Sequence, residues 1–167
     1  MQCKAGAKAS VVCEPAANTV YVSPNQLEAD PSIFSRLVID YNQRVRQTMR
    51  EHGTELIFHD CGELSPMMLE AFNELEPAML SVGSPVNLWE VAEKVSLDTV
   101  LFGNLPTKKF YSDAEYPVEK LRSEAAEIRE RMNGTGHPYI LGSECDVLSV
   151  RGHEDTIREK VQIMLSC

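Results

Sequence analysis

Short apolar runs alternate with longer amphipathic stretches along the chain. Five of the runs have the length of a β-strand, and they cover residues 10–13, 55–58, 78–82, 99–102 and 139–141. After each run, apolar residues recur every three or four positions, which is the spacing of a helix with one buried face. Strands that alternate with helices predict a parallel sheet with right-handed crossovers. The pattern therefore predicts an α/β protein of about five βα units.

Local signals predict where several helices begin and end. Asp30 followed by Pro31 predicts a helix start, because Asp is a good N-cap and Pro fits the first helical position. The chain before it, through Pro24, is predicted to be a loop. Gly53 then predicts the end of this helix, and Ser65-Pro66 predicts the start of the next. The apolar stripe of the first of these helices consists of Phe34, Val38, Tyr41, Val45 and Met49.

Five βα units are compatible with two architectures. A complete (β/α) TIM-type barrel takes about 250 residues, so five units in 167 residues would form a partial barrel. An open, doubly wound sheet of five strands would suit the length without any missing unit. Periodicity does not separate the two, and in both cases the chain is one domain spanning residues 1–167.

Composition and charge exclude some classes of partner. The chain has 25 acidic and 16 basic residues and a net charge of −9, so its average field repels a phosphate backbone and disfavours nucleic acid. No apolar run approaches the roughly 20 residues of a membrane span, and no apolar segment of a secretory signal follows Lys4 and Lys8. Five widely spaced cysteines without an export signal predict reduced thiols in a cytoplasmic protein.

Candidate metal ligands follow two of the predicted strands. His59 and Cys61 come directly after the second strand, and Cys145 comes after the fifth. The carboxyl ends of parallel strands lie at one rim, so these side chains can meet. One imidazole and two thiolates suit Zn²⁺ and leave an open fourth position, as in catalytic zinc sites. The alternative is a capping histidine with two buried free cysteines, which behave as small apolar side chains.

Several segments of the chain also resemble a known family. His59-Asp60-Cys61-Gly62, the stretch 99–106 with Gly103-Asn104, and Gly142 through Cys145 resemble segments of the uroporphyrinogen decarboxylase superfamily. The His-x-Cys-Gly segment is similar to that of its methylcobalamin:coenzyme M methyltransferase branch. Val12 to Pro15 and Ser23-Pro24 resemble the preceding barrel unit. The resemblance spans almost the whole chain and corresponds to barrel units four to eight of the family.

The resemblance implies an activity and a set of site residues. His59, Cys61 and Cys145 would be the catalytic zinc ligands, and a methylcorrinoid, free or on a small corrinoid protein, would donate a methyl group to a small thiol. Zinc would act as a Lewis acid that favours the thiolate form of this thiol. Glu14 and Asp60 could orient His59, and Asn104 and Glu14 could contact a bound substrate or cofactor. Solvated loop carboxylates and a strand-terminating asparagine are the alternative interpretations.

Two other functions remain open at this stage. One is a decarboxylase-like lyase, although the arginine-rich segment typical of that activity is missing before Cys3. The family's Gly-His-Gly at the last strand is also replaced by Ser143-Glu144-Cys145. The other is a non-catalytic half-barrel that binds a corrinoid protein or a homologous subunit. A partial barrel would expose strand edges, so we expect a second copy of the chain or a separate N-terminal chain to cover them.

Overall fold

The computed structural model describes residues 2–167 and contains one parallel sheet of five strands. The strands are β1 (Ala9–Cys13), β2 (Glu55–Asp60), β3 (Met79–Val82), β4 (Val100–Leu105) and β5 (Tyr139–Ser143). All four strand pairs are parallel. The predicted α/β class is therefore confirmed, and each of the five apolar runs overlaps one strand.

The order of the strands decides between the two architectures. The sheet runs β1-β2-β3-β4-β5, so every strand pairs with the next one in the sequence. A doubly wound sheet reverses its order at a switch point and places helices on both faces. Here every right-handed crossover steps in the same direction, so the helices collect on one face. This is the arrangement of a partial TIM-type barrel.

Six α-helices accompany the strands. They are α1 (Pro24–Ala29), α2 (Asp40–Glu51), α3 (Pro66–Phe72), α4 (Leu88–Ala92), α5 (Val118–Thr135) and α6 (Glu154–Ser166). A π-helical segment, Ser35–Ile39, leads directly into α2, and a 3-10 turn, Thr107–Lys109, follows β4. Among these residues, no helix is both long enough and apolar enough to cross a bilayer.

Helix α1 corrects the predicted loop through Pro24. The Ser23 side chain accepts a hydrogen bond from the Gln26 amide, and the Gln26 side chain accepts one from the Ser23 amide at 2.8 Å. This reciprocal capping box satisfies two amides at the helix start, and Pro24 occupies the first helical position. The sequence signal for the start of α1, Ser-Pro followed by Gln, is local. The helix is too short for the apolar periodicity to reveal it.

The core lies between the sheet and the helices. Leu56 and Phe58 of β2 are buried, and the Phe58 ring lies 5.1 Å from that of Phe72 in α3. Side chains alternate between the two faces of a strand, so the other face of the sheet carries a second set of residues. One row of this second set crosses all five strands in register, and its members are Cys13, His59, Ser81, Phe102 and Ile140.

Both edges of the sheet are open among residues 2–167. Strand β1 pairs only with β2, and β5 pairs only with β4. Near the β1 edge, Val11 is 57% exposed, and Tyr41 and Val45 are also exposed although they belong to the predicted apolar stripe of α2. The chain exposes 9321 Å², whereas a compact monomer of this mass would expose about 8,300 Å². Tyr41 and Val45 line an open cavity together with Val11 and Val12 of β1.

Candidate metal centre

His59, Cys61 and Cys145 converge at the carboxyl ends of the strands. Each residue offers one ligand atom, and the three atoms all lie within 4.8 Å of one another. His59 is the fifth residue of β2, Cys61 follows that strand directly, and Cys145 lies two residues beyond β5. The structure therefore brings together the three residues that the sequence singled out.

The backbone at His59 differs from the prediction. The sequence placed His59 directly after the second strand, but β2 continues through Asp60. His59 pairs with Cys13 on one side and with Ser81 on the other, so hydrogen bonds of the sheet hold its backbone in place. The His59 side chain therefore extends from a strand that is paired on both sides.

Ser81 sets the orientation of the imidazole. The Nδ1 atom of His59 lies 2.9 Å from the Ser81 hydroxyl oxygen, which leaves Nε2 as the nitrogen available to an ion. Metal-binding histidines generally use their second nitrogen in this way. Burial lowers the pKa of His59 below 6.5, and the nearby positive charge of Lys108 lowers it further. Both effects favour the neutral imidazole, which is the form that binds a metal.

The two thiols lie close enough to interact. Burial raises the pKa of Cys61 above its ordinary value of 9.0, and the hydrogen bond and charge of Cys145 raise it further. Without a cation between them, two adjacent thiolates would repel each other in a partly buried site. A divalent ion would remove this repulsion and release thiol protons. The donor set and its spacing therefore fit Zn²⁺.

Asp60 has a different environment from the one we expected. Its carboxyl group is fully buried and accepts a hydrogen bond from the Gly62 amide at 2.8 Å, while its Oδ2 atom has no partner. Burial raises the pKa of Asp60 to about 7, and the charge of Glu14 adds to the shift. Asp60 pairs with Val82, on the helix-facing side of the sheet. The Ser81 hydroxyl, rather than the carboxylate of Asp60 or Glu14, is therefore the hydrogen-bond partner of the His59 imidazole.

The two residues expected to contact the cofactor have structural hydrogen bonds. The amide of Glu14 donates to the His59 carbonyl oxygen at 2.9 Å. Asn104 is buried, and its Nδ2 atom donates to the carbonyl oxygens of Gly83 and Val86 at 2.9 and 2.6 Å. The two Asn104 bonds connect β4 to the loop after β3, which contains Gly83 and Val86. A direct contact of either residue with a cofactor stays a prediction.

An open cavity of about 390 Å³ adjoins the three ligands. Cys13 lines it and is an exposed residue. The cavity gives a small molecule direct access to the candidate ligand atoms. Its lining residues are Cys13, Pro15, His59, Cys61, Ser81, Ser143, Cys145 and Asp146.

Comparison with known proteins agrees with this architecture. The sequence matches the family model for uroporphyrinogen decarboxylase (URO-D) over residues 1–164. The chain belongs to the uroporphyrinogen decarboxylase family. A search of curated proteins found no significant match. Membership in the URO-D family accounts for the barrel-type strand order and for a site at the carboxyl ends of the strands, where such barrels place their active sites.

Proposed function

We propose that this URO-D family member is a zinc-dependent methyltransferase that transfers a methyl group from a methylcorrinoid to a small thiol. The observation that carries the proposal is the cluster of one imidazole and two thiols, within 4.8 Å of one another, beside an open cavity. Three protein ligands leave room for a fourth from the substrate. Zinc bound there would supply a Lewis acid that favours the thiolate form of an acceptor thiol.

The residues of the site each contribute to this reaction. Ser81 holds the His59 ring, and burial keeps that ring neutral. The cavity positions the acceptor so that its sulfur can approach the methyl carbon in line. The new carbon–sulfur bond forms as the carbon–cobalt bond breaks, and the bonding electron pair stays on cobalt as cob(I)alamin. The acceptor would release its thiol proton to water before this transfer, so that atoms and charge are conserved.

The lining of the cavity favours this reaction over decarboxylation. A decarboxylase that acts on a molecule with several carboxylates needs cationic groups to bind them. The cavity is lined by sulfur, hydroxyl and imidazole groups and by the carboxylate of Asp146, with no lysine or arginine among its lining residues. A lyase would therefore need cationic groups from another part of the protein.

The open edges support a proposal about partners. Val11, Tyr41 and Val45 are exposed and line one open cavity at the β1 edge, which would favour pairing with another chain. We propose that a second copy, or a separate chain with the remaining βα units, covers it, and that the methylcorrinoid arrives free or on a small corrinoid protein.

Sedimentation should show an assembly that Val11→Glu weakens and Val20→Glu, in an exposed loop, does not. A fully active monomer would contradict the covering partner.

Metal analysis combined with turnover tests the function. We expect about one zinc per chain in the freshly purified protein, and loss of most of it in Cys145→Ser and His59→Ala. His153→Ala, at an exposed histidine outside the site, should keep its zinc. Incubation with methylcobalamin and a series of small thiols should then yield a thioether and cob(I)alamin. Equal zinc in all variants would place the metal elsewhere, and zinc without turnover would favour a non-catalytic role.

A further inference from the structure

Glu144, the residue before Cys145, is buried although it is an acid. Only 5% of it is exposed, and a buried carboxylate is costly unless hydrogen bonds compensate for the lost water. Its Oε2 atom accepts hydrogen bonds from the Ser84 hydroxyl and amide, at 2.5 and 3.4 Å. Its Oε1 atom accepts one from the Lys108 amide at 3.3 Å. Both oxygens are thus occupied by protein donors.

These bonds connect the loops after three consecutive strands. Ser84 follows β3, Lys108 follows β4 and Glu144 follows β5. The loop after β5 also makes a backbone contact with β4, because the Glu144 amide donates to the Leu105 carbonyl oxygen at 2.8 Å. The Thr107 hydroxyl lies 3.3 Å from the carbonyl oxygen of Cys145. The Glu144 carboxylate therefore connects the segment that contains Cys145 to the loops after β3 and β4 through hydrogen bonds.

The three metal-binding residues differ in how the sheet supports them. His59 is part of β2, which has a neighbouring strand on each side, and Cys61 follows it directly. Cys145 lies outside the sheet, beyond β5, which has only one neighbour. Backbone bonding to the sheet extends only to the Glu144 amide, so the position of Cys145 also depends on side-chain contacts of the loop.

We infer that Glu144 is a positioning residue for the metal centre. It holds the Cys145 sulfur within reach of His59 and Cys61 without binding the ion itself. The inference rests on the proposed function, because it assigns Glu144 a role only if the three residues hold a metal. Partners one layer outside the ligands typically change metal affinity about 10- to 100-fold when they are removed, and we expect an effect of this size for Glu144.

Cobalt(II) provides the test, because its bonds to thiolates give a strong near-ultraviolet charge-transfer band. Metal-free wild type, Glu144→Gln, Glu144→Ala, Ser84→Ala and Cys145→Ser would be titrated with Co²⁺ and then with zinc in competition. We expect both Glu144 variants to weaken binding and to shift the spectrum toward that of Cys145→Ser. Ser84→Ala should do so to a smaller extent, because Glu144 keeps its bond to the Lys108 amide.

Two control variants separate positioning from general stability. Glu159→Gln removes an exposed carboxylate of α6, and Ile128→Val trims a buried side chain of α5. Ile128→Val should lower the melting temperature but keep the wild-type cobalt spectrum. A wild-type spectrum in Glu144→Gln, Glu144→Ala and Ser84→Ala would overturn the role of Glu144 alone. A wild type without the charge-transfer band would overturn the metal centre and this inference together.

Discussion

The hydroxyl oxygen of Ser81 lies 2.9 Å from the Nδ1 atom of His59, one strand away in the sheet. The two residues are paired in register, so they share a face of the sheet and their side chains meet at the rim. This contact directs the other imidazole nitrogen toward the cavity. It connects the candidate metal centre to β2 and β3, each of which is paired with a strand on both sides.

Removal of this hydroxyl should weaken metal binding. Ser81→Ala deletes the partner of Nδ1, so we expect the zinc affinity to fall about tenfold or more, as for other outer partners of metal-binding histidines. A competitive titration with a chelator measures the change. Ser143→Ala is the matched control, because Ser143 lines the same cavity and makes no hydrogen bond to His59. Equal affinities of the two variants would show that Ser81 does not position the ring.

Zinc affinity should rise with pH from mildly acidic to mildly basic buffer. The pKa of Cys61 is raised above 9.0, so its thiol is protonated at neutral pH, and zinc must displace that proton. The lowered pKa of His59 keeps the imidazole neutral over most of this range. If both thiols release a proton, the affinity should change about a hundredfold per pH unit. Zinc retention that does not change with pH would exclude two thiolate ligands.

The buried carboxyl of Asp60 should make the metal-free protein less stable as pH rises. Its pKa is about 7 in the folded state against an ordinary value of 3.8. Between these values the folded state keeps a proton that the unfolded state has lost. The free energy of unfolding should therefore fall by up to about 1.4 kcal/mol per pH unit. Below this window both states are protonated, and above it both are ionised.

Asp60→Asn should remove this dependence, because the amide does not ionise but still offers an oxygen to the Gly62 amide. Urea unfolding of the metal-free proteins between about pH 5 and pH 8 compares the slopes. Asp98→Asn changes an exposed aspartate and should leave the wild-type slope intact. The same slope in wild type and Asp60→Asn would rule out Asp60 as the titrating group.

Gly83 should tolerate no side chain, because the backbone of Cys61 lies against it. A Cβ atom at this position would stand 2.5 Å from the Cys61 carbonyl oxygen. Gly83→Ala should therefore displace Cys61, lower the melting temperature and weaken zinc binding. Gly134→Ala is the control, since Gly134 lies in α5 with open space around it, and alanine there should stabilise the helix by roughly 0.5–1 kcal/mol. Unchanged zinc binding in Gly83→Ala would contradict the close packing.

The sequence by itself determined the elements and the chemistry of the candidate site. Strand and helix periodicities are local, and so are the helix signals such as Ser65, whose side chain does cap α3. The sequence also identified His59, Cys61 and Cys145 as candidate ligands, because their side-chain chemistry and their places near the ends of predicted strands need no tertiary information. The parallel topology was sufficient to predict that these three residues meet at one rim.

Only the tertiary structure decided how these pieces are arranged. The strand order, which separates a partial barrel from a doubly wound sheet, depends on pairing between distant segments. The Ser81–His59 contact follows from the register of two strands, and the Glu144 contacts join loops that are 36 and 60 positions apart. Tyr41 and Val45 fit a buried stripe by periodicity but are exposed, because burial requires a neighbour that a helical pattern does not specify.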